Sequence, residues 1–225
     1  MLREQDRQAL QSLFAEKLTG PVKLVLYTQR QSPIWVPGMP VCEFCEQTER
    51  LVREVAELSG QIALEVYDFV QEEAGARAQG IDKIPALVLV GARDYGVRFY
   101  GIPSGYEFGA LVEAIIDVSR GATDLKPRLK EELAKLDRDV HIQVFTTPTC
   151  PYCPRAVRVA HQMAVESEHV RADAVEITEF PQLASRYQVR GVPKVVLNDS
   201  SGFEGAVPAD VFVAHVLRAA GAGGE

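Results

Sequence analysis

The sequence predicts an α/β protein made of two tandem copies of one unit, each a mixed central sheet with helices on both faces. Three observations predict it. The four cysteines of the 225-residue chain form two Cys-x-x-Cys motifs, Cys42-Glu43-Phe44-Cys45 and Cys150-Pro151-Tyr152-Cys153. Each is followed by an apolar-Pro pair, Ile84-Pro85 or Val192-Pro193, with the proline 43 residues beyond the first cysteine in both cases. Sliding the chain by 108 residues also aligns Phe44 with Tyr152, Ala56 with Ala164, Asp68 with Glu176, Ile81 with Val189 and Leu89 with Leu197, with no gap between 42 and 89.

Hydrophobic period and turn signals give each half the same order. A charged amphipathic helix (Leu2 to Leu18; Leu125 to Leu136) leads into an apolar strand (Val22 to Thr28; Val140 to Thr147). The cysteine motif opens the next helix. A second strand follows (Ile62 to Phe69; Val170 to Ile177), then a short helix, then the apolar-Pro pair running into a third strand (Ala86 to Val90; Lys194 to Leu197). A last strand near Val97 to Tyr100, or Phe203 to Glu204, precedes a closing helix. The boundary falls near Ser119 to Asp124, where Gly121 can end one helix and Thr123 or Asp124 can cap the next. This divides the chain into units 1–121 and 122–225. The tail Gly221-Ala222-Gly223-Gly224-Glu225 is expected to fray.

A hydrophobic content of 47% with 24% charged residues suits a chain that buries a core. The net charge of −7 and the lack of a Lys/Arg cluster argue against nucleic-acid or anionic-membrane partners. No uninterrupted apolar run approaches a membrane span, and the amino terminus reads as an amphipathic helix rather than a leader, so a cytoplasmic protein is expected. In a reducing cytosol, cysteines two residues apart point to redox or metal chemistry rather than a structural staple.

In a helix starting at the first cysteine, the second lies within one turn, close enough for a disulfide. Cys150 would sit at the helix tip, where unsatisfied N–H groups and the positive dipole end favour a thiolate. Cys153 shares an apolar stripe with Val157, Ala160 and Ala164. Cys150 is therefore the expected nucleophile and Cys153 the shielded resolving thiol. Likewise Cys42 attacks and Cys45 resolves, with Cys45, Val52 and Ala56 on one face. Pro151 suits the first helical position, whereas Glu43 sets a negative charge beside Cys42 and opposes its thiolate. Cys42 is thus expected to be the slower thiol. An X-Pro bond can be cis at modest cost, and the residue before it keeps its backbone free to pair with an extended substrate. Ile84, Pro85, Val192 and Pro193, with Pro151 and Tyr152, are the candidate substrate-contacting residues.

On these motifs, and on the stretches Tyr95-Gly96-Val97-Arg98-Phe99-Tyr100-Gly101-Ile102-Pro103 and Thr146-Thr147-Pro148-Thr149-Cys150-Pro151-Tyr152-Cys153-Pro154, the chain resembles the two-domain protein disulfide oxidoreductases, or glutaredoxin-like proteins, of the thioredoxin superfamily. The resemblance covers essentially the whole chain. It implies two tandem thioredoxin folds and dithiol-disulfide exchange on protein substrates through a mixed disulfide. It also implies electrons delivered from NADPH by a thioredoxin reductase. Cys42, Cys45, Cys150 and Cys153 become the redox pairs, and Pro85 and Pro193 the cis prolines.

Three departures stand out. Thioredoxin has a buried Asp six positions before its first cysteine; here Val144 stands there, and Val25 is the matching strand residue of the first half, so proton transfer falls to a group the sequence does not name. The Cys-Pro-Tyr-Cys motif is glutaredoxin's, but Asn198-Asp199-Ser200-Ser201-Gly202 replaces the Gly-Gly-x-Asp element expected near a glutathione carboxylate. Thr28 precedes Cys42 by 14 residues where Thr147 precedes Cys150 by 3, which reads as an 11-residue insertion, Arg30 to Pro40, containing Trp35.

Other readings compete with these. Zinc sites of two cysteine pairs ordinarily separate the pairs by about 15 to 20 residues, far less than here. His141, His161, His169 and His215 are dispersed and read as solvated or core-edge residues; Glu72-Glu73 and Lys130-Glu131-Glu132 read as solvated helix faces. No Gly-rich phosphate loop follows a strand, so neither flavin nor nicotinamide is expected to bind, and the redox groups are the cysteine pairs. Two rival functions remain. One is an electron relay resembling the tandem thioredoxin-fold module that feeds a peroxiredoxin in bacterial alkyl hydroperoxide reductases. The other is a non-enzymatic chaperone or binding module.

Overall fold

The computed structural model describes residues 2–29 and 42–221. The insertion Arg30 to Pro40 with Trp35, and the tail beyond Gly221, lie outside the described residues. Two tandem thioredoxin folds, α/β with helices on both faces, follow the expected order. The first comprises α1 (Glu4–Lys17), β1 (Val22–Thr28), α2 (Cys45–Ala56), β2 (Ile62–Asp68), α3 (Glu73–Ala78), β3 (Ala86–Val90), β4 (Asp94–Tyr100) and α4 (Glu107–Arg120). The second comprises α5 (Pro127–Leu133), β5 (Val140–Thr146), α6 (Cys153–Glu166), β6 (Val170–Glu176), a 3-10 turn (Ile177–Glu179), α7 (Pro181–Arg186), β7 (Lys194–Leu197), β8 (Ser201–Glu204) and α8 (Ala209–Ala219). No described helix is long and apolar enough to cross a membrane.

The two sheets are joined. Among the described residues they form one eight-stranded sheet in the order β2-β1-β3-β4-β6-β5-β7-β8. The joint is the parallel pair β4 and β6, with Val97 opposite Ala172 and Tyr100 opposite Val175. Because β1, β4, β6 and β5 all run the same way, Thr28 and Thr146, each leading towards a cysteine motif, end on one edge of the sheet. Four strand steps separate β1 from β5, about 19 Å at the usual spacing. One face packs on α1, α2, α4, α5, α6 and α8 through Phe14, Val52, Leu111, Leu129, Val157 and Phe212. The other carries Ala76 of α3 with Tyr100, Phe145, Ile177 and Phe180.

Strand register corrects two sequence alignments. Val22 pairs with Ile62 and Val140 with Val170, so β1 maps onto β5 with an offset of 118 residues (140 − 22) while β2 maps onto β6 with 108 (170 − 62). The insertion before Cys42 is therefore ten residues long, not 11. The residue matching Val144 is Leu26, not Val25; Leu26 and Val144 face the same core, and Val25 faces the opposite one. The apolar substitution for thioredoxin's aspartate thus holds in both halves. Gly121 closes α4 in the left-handed conformation, φ 61°. Thr123 and Asp124 do not cap α5, which starts at Pro127 behind Lys126. Their side chains are drawn instead to α6: Thr123 donates to Glu166 and Asp124 accepts from Arg158 and Gln162.

The joint carries a buried ion network. Arg171 of β6 donates to the Tyr100 hydroxyl of β4 at 2.8 Å and to Asp173 at 3.0 Å, and His141 lies 2.6 Å from Asp173. Asp173 is fully buried. Burial opposes its charge, but the His141 and Arg171 contacts outweigh that and hold the carboxyl well below the usual range. His161 lies in the core rather than at its edge: one ring nitrogen is 3.2 Å from the Arg98 carbonyl oxygen, and the ring packs edge-on against Phe99. Burial pushes it down to about 4, so it is neutral. Removing a partner from a buried ion pair leaves the other charge uncompensated. Arg171→Ala is therefore expected to cost about 2–3 kcal/mol, tempered by the remaining His141 contact. Urea unfolding measures it; an unchanged midpoint would show that the joint does not depend on this pair.

Candidate active sites

Each cysteine pair is closed as a disulfide, Cys42–Cys45 and Cys150–Cys153. The helices begin at the second cysteine, not the first. Cys150, Pro151 and Tyr152 form a bend ahead of α6, with Tyr152 as N-cap, and Pro154 rather than Pro151 takes the early helical position. The bend carries Cys150 beyond the helix tip while keeping its sulfur on the helix's first free donor: the Cys153 N–H points at Cys150 Sγ from 3.1 Å. That donor and the dipole end favour negative charge on this sulfur. Cys153 is fully buried with Val157, Ala160 and Ala164, and Cys45 with Val52, while Cys150 is 7% exposed. Tyr152 is 70% exposed and projects beside Cys150 in the sequence as an open aromatic surface.

Both apolar-Pro bonds, Ile84-Pro85 and Val192-Pro193, are cis. Cys150 Sγ lies 3.7 Å from the Val192 carbonyl oxygen, so the second motif and its proline loop meet. Each proline carbonyl is anchored from the last strand of its half: Gly101 N–H donates to Pro85 at 2.9 Å and Gly205 N–H to Pro193 at 2.8 Å. Both glycines have positive φ, 85° and 89°. At the first site Gln29 brackets the pair, its side-chain oxygen accepting from Cys42 N–H at 2.8 Å and its own N–H donating to Cys45 Sγ at 3.3 Å.

The structure also buries an acid at the start of α4. Glu107, in the first turn of α4, is 3% exposed, and neither carboxylate oxygen has a hydrogen-bond partner among the described residues. It borders a void of about 10 Å³ shared with Thr146 and Glu176, at the lower limit of what holds one water. The neighbouring Tyr106 N–H donates to the Pro148 carbonyl at 3.0 Å, which ties the start of α4 to the loop two residues before Cys150. Burial, with the Glu176 charge adding to it, pushes Glu107 up to about 8. An acid in the first turn of a helix reads as a surface residue; only the packing of α4 across the joint buries it.

Burial of this acid ties stability to pH with a definite sign. Below the ordinary value of 4.5 Glu107 is protonated in both states; between 4.5 and about 8 only the unfolded chain ionises, so its contribution to stability falls as pH rises through that window and levels off above it. Glu107→Gln removes the ionisation. Over that window wild type is expected to lose on the order of 2–5 kcal/mol relative to the Gln variant in paired urea titrations. Parallel pH curves for the two proteins would contradict it.

A thioredoxin-domain family model matches residues 140–218. The protein disulfide oxidoreductase of Aeropyrum pernix K1 has a solved structure that aligns with a TM-score of 0.87 at 31% identity, covering 98% of this chain and 94% of that one. The NTD_N/C domain of the alkyl hydroperoxide reductase AhpF of Enterococcus faecalis V583 aligns at 0.85 and 28% identity, covering 96% of this chain and all of that one. The corresponding alkyl hydroperoxide reductase component of Staphylococcus aureus is 33% identical over 103 residues, 46% of this chain and 20% of that protein. The chain spans about a fifth to a third of the length of the curated relatives it matches.

Proposed function

We propose a function from one premise: this chain belongs to the two-domain protein disulfide oxidoreductases of the thioredoxin superfamily. It is a thioredoxin-fold disulfide oxidoreductase with two Cys-x-x-Cys centres. The finer reading is a cytoplasmic catalyst of dithiol-disulfide exchange on protein substrates, with the units divided at 121/122 and Cys150 as principal nucleophile. The observation that carries it is the second centre's geometry, in which Cys150 Sγ faces the Cys153 N–H on one side and the Val192 carbonyl of the cis-proline loop on the other.

In the reduced protein the Cys150 thiolate attacks one sulfur of a substrate disulfide; a mixed disulfide forms and the other substrate sulfur leaves, taking a proton. An extended substrate segment pairs with the backbone before Pro193, while Pro151 and Tyr152 offer it an apolar surface. Cys153 then gives up its proton to solvent, from which the departing substrate thiolate can take one back. The resulting thiolate attacks Cys150 Sγ, expels the second substrate thiolate and leaves the Cys150–Cys153 disulfide. Two electrons have passed to the substrate. An NADPH-dependent thioredoxin reductase returns them. Cys42, Cys45, Ile84 and Pro85 perform the same steps more slowly. Oxidation and isomerisation use these steps from other starting redox states.

A second reading has a specific observation in its favour, the likeness of nearly the whole chain to a domain of an alkyl hydroperoxide reductase. In that reading the acceptor is one peroxiredoxin rather than many disulfide proteins. Insulin reduction with NADPH and thioredoxin reductase tests the first reading. Cys150→Ser/Cys153→Ser is expected to lose about tenfold or more of the rate, and Cys42→Ser/Cys45→Ser much less. A second-centre variant turning over at the wild-type rate would overturn the assignment, and a strong preference for a peroxiredoxin over insulin would favour the relay.

A further inference from the structure

The two anchoring glycines are equivalent in the repeat but not in their surroundings. A side chain on Gly205, at the second centre, would enter open space. On Gly101, at the first, it would meet Glu176 Cβ at 2.7 Å and Glu179 Oε1 at 2.8 Å, so a turn from the second half is pressed against the first half's anchor. The contact is bonded: Ile102 N–H donates to Glu179 Oε1 at 2.6 Å. Gly101 N–H, one residue earlier, holds the Pro85 carbonyl.

The turn that presents Glu179 also occurs in the first half, where it serves as an internal control. Glu176 accepts from the N–H groups of Thr178 and Glu179, and its equivalent Asp68 accepts from those of Val70 and Gln71. Gln71 therefore occupies the place of Glu179. It is exposed in the turn after the outer strand β2, whereas β6 abuts β4. The acid stands at this position in the copy that meets another unit. Burial pushes the Glu179 carboxyl up to about 7, with the Ile102 N–H pulling it down and Glu176 and Glu43 adding to the rise; the Glu43 effect brings the first motif into its neighbourhood.

We propose that Glu179 is a positioning residue for the first redox centre, supplied in trans by the second half. Its carboxylate fixes the Gly101–Ile102 segment that anchors the cis Ile84-Pro85 loop. The inference rests on the first centre taking part in disulfide exchange, and it makes that centre dependent on the union of the two units, while Gly205 of the second centre has no reciprocal anchor among the described residues.

The test uses the full chain with one centre at a time and dithiothreitol as reductant. In the Cys150→Ser/Cys153→Ser background, Glu179→Ala is expected to raise KM for insulin about tenfold, as losing a hydrogen bond to a charged acceptor does, with kcat changed less. Glu179→Gln keeps an acceptor oxygen and is expected to stay within about twofold of the parent. In the Cys42→Ser/Cys45→Ser background Glu179→Ala is expected to leave KM unchanged. Amide exchange at Gly101 is the readout independent of turnover: Glu179→Ala should speed it about tenfold and Glu179→Gln should not. Unchanged exchange at Gly101, an equal KM rise at both centres, or a Gln variant as impaired as Ala would each overturn the proposal. If exchange at Gly101 responds as stated but neither single-centre protein reduces insulin, the anchoring stands and the reading of function fails.

Discussion

The parallel pairing of β4 with β6 is the constraint on which the remaining geometry depends. Through it two four-stranded sheets become one, and because the paired strands run the same way, both cysteine motifs emerge on one edge. An antiparallel joint would have set the centres on opposite edges. The same pairing brings α4 of the first half against α6 of the second, sets buried Glu107 beside Thr146 and Glu176 and carries the Glu176–Glu179 turn onto Gly101. The charges trapped there have partners: Arg171, Asp173, Tyr100 and His141 form a bonded set across the joint. Such a network costs desolvation and is weak evidence for stability as such, but it opposes register slips, since sliding β6 along β4 would pull Arg171 off the Tyr100 hydroxyl and the Gly80 carbonyl.

On this scaffold the two centres use one local device with different surroundings. A bend places the first cysteine past a helix tip, the helix buries the second, and each half carries a cis proline loop anchored by a positive-φ glycine, which at the second centre meets Cys150. The second centre adds a backbone donor on Cys150 and a loop tied through Pro148 to the start of α4. At the first, Gln29 holds the pair, and the segment that anchors the proline loop is bonded from the other half.

Much of this is legible in the sequence. Strands such as Val22–Thr28, Ala86–Val90 and Lys194–Leu197 are short apolar runs bounded by breakers, so their limits follow from pattern. The repeated interval marks the paired prolines, and the resemblance to the thioredoxin superfamily implies the two cis bonds. The start of the cysteine helices is not legible, because a proline inside a motif looks like a first-turn residue, while Pro154, just after it, takes that place. His161 falls four residues after Val157 on a buried stripe, a signal that outranks its polarity. Glu107 and Glu179 are invisible for a different reason. Each sits where pattern alone reads as surface, in the first turn of a helix or in a turn after a strand, and contacts with the other half cover Glu107 and half-bury Glu179.

The central claim is that one scaffold used twice holds two unequal thiols, with Cys150 the readier nucleophile. The direct measurement is iodoacetamide trapping of the fully reduced protein across pH, with each cysteine read by mass spectrometry. Cys150 is expected to be trapped at clearly lower pH than Cys42, and Cys45 and Cys153 only slowly, as their burial demands. Trapping of Cys42 at the lower pH, or equal profiles for the two, would contradict it.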